Sequence, residues 1–135
     1  MSLIYMSSGY AVWFGAHNLT DWAQAHVELL QGSRRLLELG SGLGLCGISV
    51  AALLQATRIA EAAAVSSSGD DRPTTTARRD DDCPVVVLTD GESELLPLLE
   101  ANCALNHVAP QCAKLWWGDE ADIGRLLYQH SGGYI

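Results

Sequence analysis

The sequence predicts an α/β fold, the N-terminal βαβαβ half of a doubly wound parallel sheet with helices on both faces. Three observations carry this. An apolar run from Arg35 to Leu39 passes directly into Gly40-Ser41-Gly42-Leu43-Gly44, and an apolar helical pattern follows. A β-branched run, Pro84 to Asp90, ends on an acid and is again followed by a helical pattern. A third strand-like stretch, Ala113 to Trp117, completes the alternation that a parallel sheet with crossover helices requires.

Residues 1 to 16 are apolar and irregular, which predicts a lid or packing segment, with Trp13 as a buried anchor. From Asn18 a helix is expected, capped by Asn18 or Thr20 and closed by Gly32, with Leu19, Ala23, His26 or Val27, and Leu30 at helical spacing. His17 and His26 stand without metal-ligating neighbours and read as structural histidines. The pattern after Gly47 is apolar nearly all round, as in a helix packed on a sheet, and can extend to about Val65. Residues 66–82 are polar, charged and broken by Gly69 and Pro73, so a disordered insertion is expected there. A helix over about Glu94 to Asn106 places Pro97 in its first turn, where a missing amide costs nothing. A short helical pattern runs through Ile123, Leu126 and Leu127, and Ser131 to Ile135 read as a turn into another strand.

Composition narrows the function. The chain has 135 residues, enough for one domain, and 16 acids against 8 bases give a formal charge of −8. No basic stripe offers itself to a phosphate backbone, which argues against nucleic acid. The 4 cysteines lack metal-ligand spacing, so neither a metal site nor a disulfide framework is expected. No secretory leader is legible, and no run approaches the roughly 18 apolar residues of a membrane span. A cytoplasmic location, with the nucleus as an alternative, and no membrane partner are therefore expected.

The glycine turn lies at the carboxyl end of a strand, where open α/β sheets bind ligands. A dinucleotide fingerprint beginning at Gly40 fails at Leu45, and the match at Gly42, Gly44 and Gly47 starts two residues late. S-adenosylmethionine suits the residues better. Glu38 can help hold its amino acid end, directly or through water, Gly40, Gly42 and Gly44 permit close approach, and Asp90 can accept both ribose hydroxyls. Glu38 would otherwise be a strand acid with no evident partner.

The run Glu38 to Leu45 resembles the first motif of seven-β-strand, Rossmann-like methyltransferases. With Val12-Trp13, Leu88-Thr89-Asp90, Leu95 to Asn102, Asn106, and Leu115-Trp116-Trp117-Gly118-Asp119, the resemblance narrows to the lysine methyltransferase-like subfamily. It implies methylation of a lysine in a protein substrate, Trp13 and Trp117 on the cofactor, Trp117 near the adenine, and Asp90 on the ribose. Relatives commonly carry Trp-Pro-Ala where this chain has Trp13-Phe14-Gly15, and an acid where it has Trp116. They also continue into further strands that position substrate, so the chain is expected to be the cofactor-binding half of a C-terminally truncated enzyme. No catalytic residue is assigned. The alternatives are a non-catalytic interaction module that self-associates through an open sheet edge and, less favoured, a dinucleotide-dependent oxidoreductase.

Overall fold

The computed structural model describes residues 8–67 and 84–130. After a 3₁₀ turn at Ser8–Tyr10, the elements are α1 (Phe14–Ala25), α2 (Val27–Gln31), β1 (Arg35–Leu39), α3 (Leu45–Ser67), β2 (Val85–Asp90), α4 (Leu96–Leu105), β3 (Gln111–Lys114) and α5 (Glu120–His130). The strands form a parallel sheet in the order β1-β2-β3, with Glu38 opposite Leu88 and Asp90 opposite Lys114. The α/β prediction holds.

Helices cover both faces. On one, Val86 and Leu88 pack against Cys46, Ile48 and Leu54 of α3, Leu99 and Cys103 of α4, and Ala23 of α1. On the other, Val87 packs with Leu115 and with Leu126 of α5. The cover is uneven at β1, where Leu37 and Leu39 are 52% and 55% exposed. Cys46, Cys103 and Cys112 are free thiols, and burial raises the pKa of each, that of Cys112 to about 12. Such thiols stay protonated and unreactive at neutral pH.

Several expectations need correction. The first helix begins at Phe14, so Asn18 and Thr20 lie inside it, and the Thr20 hydroxyl donates back to the Ala16 carbonyl at 2.7 Å. Trp13 is 63% exposed rather than a buried anchor. The helix also breaks at His26, whose N–H turns to the Ala23 carbonyl at 3.2 Å. Its imidazole takes the carbonyl left behind, with Nδ1 2.8 Å from Trp22 O and the two rings stacked 4.5 Å apart.

The third strand ends at Lys114, so both tryptophans expected within it lie in the following loop. Their β propensity is overruled by a competing acceptor, Asp122. Helix α3 extends through Ser67, moving the start of the expected insertion; 68–82, like the expected turn at 131–135, lies outside the described residues. By length and composition Leu45–Ala64 is apolar enough to cross a membrane, contrary to the expectation that no run approaches that length. Its first part, however, supplies Cys46, Ile48, Val50 and Leu54 to the core, and Arg58 and Glu61 interrupt the remainder.

Candidate functional site

The turn between β1 and α3 is built from backbone that side chains disfavour. Gly40, Gly42 and Gly44 have φ of 69°, 52° and 87°, in the left-handed region. Ser41 fastens the turn to β2: its N–H donates to the Thr89 carbonyl at 2.8 Å, and its Oγ accepts the Thr89 N–H at 3.1 Å. Thr89 Oγ1 donates to the Glu38 carbonyl at 2.7 Å, completing the clamp. Below the turn, Asn102 Nδ2 donates to the Leu43 carbonyl at 3.0 Å, tying it to α4. Asn102→Ala should cost about 1 kcal/mol and loosen the turn, read as a lower thermal midpoint and faster amide exchange at Gly44.

Above the turn lies a cleft of ≈ 530 Å³ at the carboxyl ends of the strands. It brings together Trp13, Glu38, Gly40, Gly42, Asp90 and Trp117 from segments far apart in sequence. Gly44 does not line it. A Cβ there would meet Leu99 and Ile48 of the core, so its hydrogen serves packing beneath the turn.

Two carboxylates dominate the electrostatics. Glu38 Oε2 accepts the Gly47 N–H at 3.0 Å, and this bond and the nearby Ser41 hydroxyl both favour the charged carboxylate. The expectation that Glu38 lacks a partner is therefore corrected. Burial nevertheless outweighs these bonds and holds its pKa above the ordinary value of 4.5. Asp90 is 8% exposed; Oδ2 accepts the Gly42 N–H at 2.9 Å and Oδ1 the Glu92 N–H at 3.0 Å. Each oxygen keeps a further acceptor direction.

The aromatic wall rests on glycines. A Cβ on Gly40 would be 3.2 Å from Trp117 Cζ2, and one on Gly91 2.7 Å from Trp116 Cε3. Trp117 is 68% exposed, with open ring surface. On the opposite side Gly9, Ala11 and Val12 reach the cleft, and a Cβ on Gly42 would be 3.1 Å from the Gly9 carbonyl oxygen. Sequence reasoning assigned no role to Ser41, Gly91 or Trp116. A serine between glycines gives no local signal, because its partner Thr89 is 48 residues away.

The sequence model of a family described as lysine methyltransferase matches residues 4–64. That span holds α1, α2, β1, the glycine turn and α3 as far as Ala64, and thus Trp13, Glu38 and the three turn glycines. It supports a methyltransferase. Asp90, Trp116 and Trp117 lie beyond it and stand on the geometry alone. No curated protein matches the chain.

Proposed function

We propose that the chain binds S-adenosylmethionine and belongs to a methyltransferase acting on a lysine of a protein substrate. The observation that carries this is Glu38. Its carboxylate occupies the N-terminal turn of α3, accepting the Gly47 amide that a pyrophosphate would otherwise receive. A second anion would be repelled there, whereas an ammonium would find an acceptor in a partly desolvated setting.

The remaining residues suit the rest of that ligand. Asp90 has acceptor capacity for a ribose diol, and Trp116 and Trp117 offer flat apolar surface for an adenine. S-adenosylmethionine supplies a methyl group made electrophilic by a sulfonium. What the chain's own residues do is bind the cofactor's two ends and fix its orientation, while the acceptor amine must arrive deprotonated and in line. The acidic charge of −8 favours a basic protein segment as acceptor over nucleic acid, and no membrane partner is proposed. The cytoplasm, with the nucleus as an alternative, is the proposed location.

Calorimetric titration with S-adenosylmethionine, S-adenosylhomocysteine and NAD tests the reading. The first two should bind and compete; tight NAD binding without either would overturn it in favour of an oxidoreductase. A second reading is favoured by β1 itself, which has no strand partner on its outer edge among the described residues and half-exposed Leu37 and Leu39. A stable dimer that binds neither adenosyl ligand would favour the non-catalytic interaction module.

A further inference from the structure

Trp116 and Trp117 wall the cleft, yet the sheet does not hold them. The last bond of this segment to β2 is from the Leu115 N–H to the Asp90 carbonyl, 2.8 Å. The next amide leaves the sheet. Trp116 N–H donates to Asp122 Oδ2 at 3.0 Å, and Asp122, in the first turn of α5, is only 1% exposed. Lys114 Nζ lies 3.3 Å from the same oxygen, and the Arg125 guanidinium bonds to Oδ1. The Asp122 N–H in turn donates to Asp119 Oδ1 at 2.8 Å, closing the loop on the start of the helix.

A carboxylate taken this far from water is costly unless its charge and lone pairs are satisfied. Here the Trp116 amide leads the groups that favour the charged form, followed by Lys114 and Arg125, and the pKa falls below the ordinary value. The two cations are partly exposed. The loop amide is the part of this arrangement that leads into the cleft.

We propose that Asp122 is a positioning residue for the cleft: through the Trp116 amide it seats the Trp116–Trp117 wall over Gly91 and Gly40 and so sets affinity for a flat base. The identity of that base rests on the S-adenosylmethionine reading; the seating of the loop does not. Asp122 touches no ligand. Its effect should fall on the adenine end, and therefore equally on S-adenosylmethionine and on 5′-methylthioadenosine, which lacks the amino acid group.

The test uses the full chain and two readouts, amide exchange at Trp116 without ligand and calorimetric affinity for both compounds. In the unsubstituted protein the Trp116 amide should be protected; exchange at the rate of an open loop would overturn the proposal without any variant. Asp122→Leu should speed Trp116 exchange about tenfold or more and weaken both ligands roughly fivefold, with Val87 and Leu88 amides still protected. Asp122→Asn keeps an oxygen for the Trp116 amide and should stay within about twofold of the original affinity. Arg125→Gln removes a cation and leaves the loop bond, and should do the same. Unchanged Trp116 exchange in Asp122→Leu, or an Arg125→Gln loss equal to it, overturns the proposal. If the unsubstituted protein binds neither compound, the S-adenosylmethionine reading falls, and exchange still decides whether Asp122 holds the loop.

Discussion

Glu38→Gln should bind S-adenosylmethionine about 2 kcal/mol more weakly, roughly thirtyfold, because an amide replaces the charge that meets the ammonium. The same substitution should not harm the fold. Glutamine keeps an oxygen for the Gly47 N–H, and it removes a negative charge whose burial is unfavourable. The folded-state pKa of Glu38 is raised above 4.5, so the folded protein holds this proton more tightly than the unfolded chain. Its contribution therefore weakens stability as pH rises from the unfolded value through the folded one. Compared with the original protein, Glu38→Gln should melt higher at pH 7, and the difference should vanish as pH falls to 4.5. Binding should follow the opposite course, with the original protein losing affinity as falling pH protonates Glu38, whose pKa burial raises. Melting curves and titrations across that range check both. A variant that melts lower and binds as before would remove Glu38 from the site and return it to the core.

Gly47→Ala should destabilise the protein by about 2 kcal/mol, lowering the thermal midpoint by roughly 8 °C. Alanine is ordinarily the better helix former. At this position, however, its Cβ would overlap Leu88 Cδ2 and the Glu38 carboxylate. Leu88 has no exposed surface and cannot swing aside, so the helix must move away from the sheet. That displacement would also break the Glu38–Gly47 bond, and ligand affinity should fall with stability. Gly124→Ala is the contrast. Gly124 lies in α5 with open space around its Cβ position, and the substitution should stabilise by up to about 1 kcal/mol. Equal effects at the two positions would mean that close packing of α3 on β2 is not what Gly47 provides.

Gly47 also bears on the dinucleotide alternative. A glycine three residues after Gly44 serves close packing of helix on strand, as the third glycine of a dinucleotide fingerprint does, and this part of that pattern is present. What separates the two ligands is the anion already placed at the helix start. Helix-strand packing is shared by both ligand classes, whereas Glu38 at the α3 N-terminus suits only one.

The elements that the sequence determined by itself are those with strong local patterns. β1 was legible to the residue, because the apolar run is bounded by Arg34 before it and Gly40 after it. β2 was legible from its β-branched run, and α4 from its apolar spacing and Pro97, with Asn106 at its C-cap. The alternation of these elements then implied a parallel sheet, since parallel strands joined by helices must cross over, while the order β1-β2-β3 was left to the tertiary structure. The acids at the strand ends were visible for the same reason: Glu38 and Asp90 are placed by the strands that carry them.

Tertiary structure decided whatever depended on a distant partner. The first helix starts at Phe14 without a side-chain cap, so no local residue announces it. The tryptophans of 116–117 leave the sheet because Asp122 captures the Trp116 amide, although their own propensity favours a strand. Gly44 and Gly40 are one pattern in sequence, yet Leu99 lies beneath the first and Trp117 over the second. Strand, turn and acid are local features written in residue order; the direction in which each turn residue faces, and the wall that closes the cleft, are set by groups tens of residues away.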